Sequence, residues 1–287
     1  MRNNHLRSRK YLFPFLIVLV LIMNSCSTSK NVSITILSTN DVHSQVEEFP
    51  SNNKRYAGKG GFARKSAFIK RMRKENANIV LLDAGDISQG TPYYNMFGAS
   101  LQFVMMDSMH YDAMTLGNHE FDNGMDSLAQ AISKATFPIV CSNYDFTGTP
   151  LEGKTVPYLI IKKQGVKIGI IGLGVELAGL ANKSNYGNTK YLDPIQQANK
   201  YAKLLKDKGC SLIIVLSHLG FELKSNEMSD IILAQKTENI DLIIGGHTHT
   251  NMNEPFYEMN IKNRKVAIIQ SAHAGLKITK TTYEFSK

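Results

Sequence analysis

Short apolar runs rich in β-branched residues alternate with amphipathic stretches from residue 33 onward. A bounded run of about four to eight such residues indicates a buried strand, whereas apolar residues spaced by one helical turn indicate a helix. No internal repeat, low-complexity segment or long linker divides this pattern. It predicts an α/β fold in which helices cover the sheets. The predicted strands are residues 33–38, 79–82, 113–116, 139–142, 167–172, 212–216, 242–244 and 266–269.

The clearest helical patterns are residues 62–76, 126–134 and 194–208. Asp193 and Pro194 open the third pattern, where aspartate can cap a helix and proline fits its first turn. The chain has 287 residues, of which 43% are hydrophobic and 20% charged, so it can bury a substantial core. We therefore predict one large domain, residues 33–287.

Residues 1–25 have the layout of a lipoprotein-type signal peptide, because four basic residues precede an uncharged apolar run at 11–23. A membrane-spanning helix needs about 20 apolar residues, so a permanent transmembrane anchor is the weaker interpretation. Cys26 follows this run and resembles the lipid-modified cysteine of bacterial lipoproteins, with residues 26–32 as a tether. Ordinary signal-peptidase cleavage is the alternative, and a cytosolic protein with an unusual leader is a remote one. The expected location is the bacterial cell envelope, lipid-anchored to the membrane and facing the periplasm or the surface.

The formal net charge of +9 falls to +5 when the four basic residues of the leader are set aside. Lysine and arginine are dense only in residues 65–74, which we interpret as a solvated helix face. Trp is absent, and basic and aromatic residues do not interleave, so nucleic-acid binding is not expected. Cys141 and Cys210 lie at strand edges without disulfide or metal-site spacing, which predicts two buried free thiols.

Five predicted strands end in clusters of metal-capable side chains. Loops at the carboxyl ends of strands in an open α/β sheet line one crevice, so these clusters are expected to converge. Asp41 and His43 are two residues apart, as are His247 and His249, which points each pair to one side of a continuing strand. Either pair alone occurs often by chance, but five of the eight histidines follow apolar strands. The clusters are residues 40–43, 85–86, 117–120, 217–218 and 245–249.

Histidine and carboxylate ligands with one neutral amide suit Mn, Zn, Fe or Co, and the thiolates typical of a structural zinc site are missing. The clusters offer more groups than one tetrahedral ion needs. A two-metal centre, with ions about 3.5–4 Å apart, is well served by a bridging carboxylate. We therefore predict two divalent metal ions that share Asp86.

These clusters resemble the signature of the calcineurin-like metallophosphoesterase superfamily, through Asp41-Val42-His43, Gly85-Asp86, Gly117-Asn118-His119-Glu120-Phe121-Asp122, His218 and Gly246-His247-Thr248-His249. Residues 38–43 and 118–124 resemble more narrowly its branch of 5'-nucleotidases and 2',3'-cyclic-nucleotide phosphodiesterases. The resemblance covers nearly all of residues 33–287. It implies the family's four-layer αββα sandwich, with mixed sheets flanked by helices. It also implies an exported dinuclear-metal phosphoesterase that hydrolyses small phosphate esters, above all nucleotides, by attack of a metal-bridging hydroxide.

The resemblance implies a role for each matching residue. One metal ion would be held by Asp41, His43, Asp86 and His249. The other would be held by Asp86, Asn118, His218 and His247.

The same resemblance makes His119 the residue that stabilises the transition state or protonates the leaving group. Asp122 would orient His119, and its alternative role is a helix cap before the next turn. Glu120 is expected to shape the loop. His110 and His273 match no ligand position and are expected to be ordinary satisfied or exposed histidines.

Full-length relatives in this branch carry a C-terminal domain that binds the base and the phosphate, and no such arginine cluster or aromatic pair is recognisable in residues 31–287. We expect either a separate C-terminal substrate-binding polypeptide or a more permissive phosphoesterase. Two alternatives stay open. One is a phosphodiesterase acting on cyclic nucleotides, sugar-nucleotides or other extracytoplasmic phosphodiesters. The other is a catalytically idle binding lipoprotein, which the full ligand set and the presence of His119 disfavour.

Overall fold

The computed structural model describes residues 31–224 and 227–286, so the leader and Cys26 lie outside the described residues. The described strands are β1 (Val32–Thr39), β2 (Ile79–Asp83), β3 (Ala113–Met114), β4 (Tyr144–Asp145), β5 (Leu159–Lys163), β6 (Val166–Gly174), β7 (Lys190–Tyr191), β8 (Leu212–His218), β9 (Leu242–Gly245), β10 (Phe256–Met259), β11 (Lys265–Gln270) and β12 (Thr279–Phe285). The helices are α1 (Phe62–Glu75), α2 (Pro92–Phe97), α3 (Ser100–Ser108), α4 (Gly124–Ile132), α5 (Lys183–Tyr186), α6 (Pro194–Asp207) and α7 (Asp230–Lys236), with a 3₁₀ turn (His119–Phe121) before α4.

The strands form two mixed sheets and a short ribbon. One sheet has the order β12-β1-β2-β3, and the other has the order β10-β11-β9-β8-β6-β5. Within the larger sheet the four inner strands run parallel, and β10 and β5 pair antiparallel at its edges. In the smaller sheet only β12 is antiparallel to its neighbour. Strands β4 and β7 form the ribbon.

Three hydrophobic cores separate four layers. Consecutive residues of a strand point to opposite faces of its sheet, so each strand contributes to two cores. On β1, Ile34 packs in the core between the sheets, whereas Leu37 packs in the core that contains residues of α1, α3 and α4. On β8, Ile214 faces the core between the sheets, and Ile213 faces residues of α6 and α7. The predicted αββα sandwich with mixed sheets is therefore confirmed.

The predicted strand at 139–142 is wrong, because this segment makes only isolated bridges. Val140 N–H donates to Met114 O, Cys141 N–H donates to Val156 O, and Ser142 N–H donates to Gly172 O. Each residue thus pairs with a different partner, so no continuous ladder forms. The segment instead connects β3 of the smaller sheet with β6 of the larger one.

The three predicted helices are present, and their ends shift by no more than two residues. Asp193 caps α6 by accepting a hydrogen bond from Gln196 N–H at 2.9 Å, as predicted. Cys141 and Cys210 are buried and free, which confirms that prediction. Strands β4, β5, β7 and β10 and helices α2, α3, α5 and α7 were not predicted. No helix of the described part of the chain is long and apolar enough to cross a bilayer.

Two glycines of β6 test how closely this strand packs against its neighbours on either side. A Cβ at Gly172 would lie 1.9 Å from the carbonyl oxygen of Val140, and one at Gly169 would lie 2.8 Å from a methyl carbon of Leu205. A backbone carbonyl cannot move aside, whereas a leucine side chain can rotate. We expect Gly172→Ala to destabilise the protein by about 3 kcal/mol or more, and Gly169→Ala by clearly less. Urea unfolding midpoints measure both, and equal midpoints would contradict this account.

Candidate metal centre

The loops that follow β1, β2, β3, β8 and β9 meet at one edge of the two sheets. The loops after β1, β2, β3, β9 and β11 line a cavity of about 460 Å³ at this edge, which we call the metal cleft. Its walls include His43, Asp86, Asn118, His119, His247, His249 and His273. The residues that the sequence places at five separate strand ends are therefore neighbours in the folded chain.

Two groups of three side chains within the cleft are close enough to hold one metal ion each. The first group is Asp41, His43 and His249, and the second is Asp86, His218 and His247. In the first group, His43 Nε2 lies 2.9 Å from His249 Nε2, and His249 Nε2 lies 3.4 Å from Asp41 Oδ1. Each group is part of one of the two ligand sets that the family resemblance implies, with Asp86 in the second group only and Asn118 in neither.

The second group and Asn118, which lines the metal cleft, contain buried polar atoms that the described residues leave without a hydrogen-bond partner. His218 Nε2 lies 2.9 Å from Asp86 Oδ2, yet it has no hydrogen-bond partner of acceptable geometry among the described residues. The same holds for Asn118 Oδ1, which is also buried. Buried polar atoms without partners are rare, and a bound cation would satisfy both of these atoms. The donor set of imidazole, carboxylate and amide fits two borderline or hard divalent ions.

The ligand carboxylates make the cleft strongly attractive to positive charge. Burial lowers the pKa of His218, but the charge of Asp86 and its contact with the ring outweigh burial and raise this pKa to about 10. Burial likewise raises the pKa of Asp86, and the facing His218 outweighs it and lowers this pKa well below the usual range. The two shifts have one cause, a buried anion beside a cation.

Five of these ligands adopt left-handed backbone conformations. The φ angles are 50° at Asp41, 49° at His43, 55° at Asp86, 71° at His247 and 53° at His249. Such conformations cost non-glycine residues about 1–3 kcal/mol each and persist only where surrounding contacts enforce them. Their concentration in one cleft indicates that the backbone is held in place to aim these side chains.

Backbone hydrogen bonds connect the ligand loops. His247 N–H donates to both oxygens of Asp41, at 3.0 and 3.1 Å. Asp41 N–H donates to Gly85 O at 2.9 Å, and His43 N–H donates to Asp86 O at 3.0 Å. The loops after β1, β2 and β9 are thus linked through the ligands themselves.

Glu120 holds the loop after β2 against the loop after β3. Its buried carboxylate accepts the N–H groups of Asp86 at 2.9 Å, Ser88 at 3.0 Å and Gly117 at 2.6 Å. Burial raises the pKa of Glu120, and the charge of Asp86 adds to this, whereas the N–H groups oppose it. The sequence analysis expects a loop-shaping residue at this position but gives no indication of its three partners.

Gln270, at the end of β11, holds the loop that carries His247 and His249. Its side chain donates to Gly246 O at 2.6 Å and accepts from Thr250 N–H at 2.6 Å. The side chain is fully buried. The sequence analysis missed this residue, because a glutamine at the end of an apolar strand carries no local signal.

His119 and Asp122 form a pair at the rim of the metal cleft. His119 Nδ1 lies 2.8 Å from Asp122 Oδ2, and His119 N–H donates to Asp86 Oδ1 at 2.9 Å. Asp122 does not cap α4, whose N-cap residue is Asn123. Burial lowers the pKa of His119, but Asp86 and Asp122 outweigh it and raise this pKa above the ordinary value.

The other histidines discussed above lie in different environments. His110 is exposed in a turn after α3. His273 lines the metal cleft and stacks on the ring of His249, with 4.9 Å between centroids and 14° between planes. The sequence analysis missed His273, although it follows the apolar strand β11 as the ligand clusters follow theirs.

Comparisons with known proteins identify the family. The model of the calcineurin-like phosphoesterase family matches residues 34–251. The chain belongs to this family. Its members are metal-dependent phosphoesterases.

Similar proteins include a snake venom 5'-nucleotidase from Naja atra, 35% identical over 263 residues, which cover 84% of this chain and 48% of that protein. The structure of the NAD nucleotidase of Haemophilus influenzae superposes with a TM-score of 0.77 at 29% identity, covering 90% of this chain and 48% of that one. The calcineurin-like phosphoesterase YfkN of Bacillus subtilis gives a TM-score of 0.73 at 28% identity, covering 90% and 86% of the two chains. The chain spans about half the length of the curated relatives it matches.

The contacts of Glu120 lead to a prediction about metal affinity. In Glu120→Gln the amide nitrogen would face a backbone N–H, so one of the three loop contacts becomes a repulsion between donors. We expect Mn or Zn to bind about 10–100-fold more weakly, the usual effect of losing a group that orients the ligands. Titration of the apoprotein against a competing chelator measures this. Glu75→Gln, an exposed change at the end of α1, is the matched control. Wild-type affinity in Glu120→Gln would refute the role of this carboxylate.

Proposed function

We propose that this protein hydrolyses phosphate esters, with nucleotides as the favoured class, in the manner of a 5'-nucleotidase. The observation that carries the proposal is the joining of two ligand triads and the His119–Asp122 pair in one cleft. The 5'-nucleotidase names of the relatives support the substrate class. An idle binding protein would not need a paired histidine beside a complete set of ligands.

The chain's own residues would hold the metal ions and keep the side chains around them oriented. Asp41, His43 and His249 would hold one divalent ion, and His218, His247 and Asn118 the other, with Asp86 shared between them. When bound, two such ions activate the attacking water and neutralise the phosphate oxygens. The left-handed backbone of the ligands fixes their directions before the substrate arrives, which lowers the reorganisation needed during reaction.

His119 would act on the leaving group. Its Nδ1 faces Asp122, which leaves Nε2 as the ring nitrogen available to the substrate. The carboxylates of Asp86 and Asp122 raise the pKa of this ring, which favours the protonated form that a donor to a departing alkoxide requires. Asp122 fixes the tautomer and the ring orientation, so we assign it a positioning role.

The relatives are about twice as long as this chain, so we propose that recognition of the base depends on a C-terminal substrate-binding polypeptide outside residues 1–287. Binding energy from a remote nucleoside assists the reaction only where groups hold it. The isolated chain should therefore prefer no base strongly. Strong discrimination among four nucleoside 5'-phosphates would argue that its own loops recognise the base.

His119→Ala tests the proposed function. The metal-loaded wild type should hydrolyse p-nitrophenyl phosphate and adenosine 5'-monophosphate, and His119→Ala should lower turnover by about 10²–10⁴ with its metal content intact. The loss should be smaller for p-nitrophenyl phosphate, because its leaving group departs readily without a proton. Steady-state kinetics and elemental analysis measure both effects.

Two further variants serve as comparisons. His110→Ala, at an exposed histidine outside the cleft, should retain wild-type kinetics. Asp86→Ala should abolish activity on both esters and reduce the metal content below two ions per chain, because it removes the shared ligand. Equal losses on the two esters in His119→Ala would exclude proton donation. A metal-loaded wild type inactive on both esters would refute the proposed function.

We also propose that the mature protein is exported and tethered to a membrane through a lipid on Cys26. The support is the leader's charge and apolar pattern, which ends at Met23, three residues before this cysteine. Cys26→Ser should move the protein from the membrane fraction to the soluble fraction, or leave the leader uncut. Fractionation with detection by mass spectrometry decides this, and wild-type protein found only in the soluble fraction would overturn the proposal.

A further inference from the structure

A second cavity, of about 320 Å³, opens beside the metal cleft. The two share His249, a metal-ligand residue, and His273, which stacks on it. The remaining wall comes from three segments distant in sequence: the loop before α1, the loop after β9, which contributes Asn251, and the loop before β12. We call this cavity the cationic pocket; its walls include Arg55, Tyr56, Lys59, His273 and Lys277.

The pocket carries positive charge without acidic partners. Across residues 31–224 and 227–286, no carboxylate lies within ion-pair distance of Arg55, Lys59 or Lys277. Arg64, nearby on α1, is paired, with its guanidinium 2.9 Å from Glu48. The cations that line the pocket therefore differ from Arg64, because no carboxylate pairs with them.

Two of these cations are held in place by neutral groups. Lys277 Nζ donates to Asn251 Oδ1 at 2.6 Å, Met252 O at 2.7 Å and Asn253 Oδ1 at 2.7 Å. Its charge is fixed, but all three of its donors are used. The Arg55 guanidinium lies over the ring of Tyr56, 5.1 Å from the centroid. Arg55 and Lys59 are thus the cations with donors available to a ligand.

An aromatic wall connects the pocket with the metal centre. The rings of Tyr56 and His273 meet edge to face, with 5.9 Å between centroids, and His273 stacks in turn on His249. A group that extends from a phosphate in the metal cleft past His249 therefore enters the cationic pocket. Among the described residues no carboxylate pairs with the cations of this pocket, so an anionic ligand would supply their counter-charge.

We propose that the cationic pocket binds a second phosphate of the substrate, so that the enzyme favours nucleoside 5'-diphosphates over 5'-monophosphates. The inference rests on the proposed function, since it assigns the metal cleft to the terminal phosphate. Arg55 and Lys59 donate to the inner phosphate, and Lys277 adds a fixed charge. A planar guanidinium suits two phosphate oxygens at once.

The reaction on such a substrate is hydrolysis of its terminal phosphate. Water adds its oxygen to the terminal phosphorus, and the bond from that phosphorus to the bridging oxygen breaks. The electron pair stays on the bridging oxygen, which leaves as part of the nucleoside 5'-monophosphate. One proton of the water stays on the released inorganic phosphate, and the other passes to solvent. Negative charge thus increases on the phosphate that Arg55 and Lys59 hold, so the pocket stabilises the transition state more than the ground state.

The test compares two substrates that differ by one phosphate, adenosine 5'-diphosphate and adenosine 5'-monophosphate. The wild type should show the larger kcat/KM on the diphosphate. The double variant Arg55→Gln with Lys59→Gln should lose roughly 10–100-fold on the diphosphate, the effect of removing hydrogen bonds from charged donors, and much less on the monophosphate. Both residues are exposed, so the variant should fold.

Lys54→Gln is the matched control, since Lys54 is an exposed cation of the same loop that does not line the pocket. It should keep the wild-type ratio of kcat/KM between the two substrates. An unchanged ratio in the double variant, or equal losses on both substrates, would overturn the subsite. Hydrolysis of p-nitrophenyl phosphate separates the two proposals. If the wild type fails on this ester, the proposed function fails; if it succeeds without favouring the diphosphate, only the subsite is wrong.

Discussion

The burial of two carboxylates at neighbouring strand ends is the constraint on which the rest of the structure depends. Asp41 and Asp86 are almost completely inaccessible to solvent. A buried charge is tolerated only where it is paired and hydrogen-bonded. Backbone N–H groups of His247 and His119 reach these carboxylates, and His218 faces one of them directly. Residues from five strand ends are thus drawn to one edge of the sheets, and the same arrangement creates a site for cations.

The sandwich makes this arrangement possible because it is rigid on both sides. Each sheet packs one face in the core between the sheets and the other in a core with helices, so the strand ends have little freedom. On this base the ligands hold strained backbone conformations. Glu120 and Gln270 maintain them by binding backbone groups of the ligand loops. The packed interior therefore provides the stability that offsets the strained backbone at the edge of the sheets, and this strained backbone fixes the directions of the ligands.

The same edge of the sandwich places a second, cationic cavity beside the metal cleft. Pairing of β12 with β1 brings the loop before β12 close to the loops that follow β1. Lys277 from the first and Arg55 from the second then face one space. The metal ligands belong to a pattern shared within the family, whereas the lining of this neighbouring cavity depends on the loops of this chain. Under the two proposals, hydrolysis belongs to the metal cleft and the preference for a second phosphate belongs to the cationic pocket.

The sequence by itself determined the α/β class, most strands, the capped helix at Asp193 and the residues gathered in the metal cleft. These follow from local patterns, since strand alternation, helix signals and ligand motifs involve neighbours along the chain. Tertiary structure alone decided the irregular path at 139–142, the three contacts of Glu120, the stacking of His273 and the meeting of Arg55 with Lys277. Each of these depends on loop conformations and long-range strand pairing, which bring together residues whose local sequence carries no record of their partner.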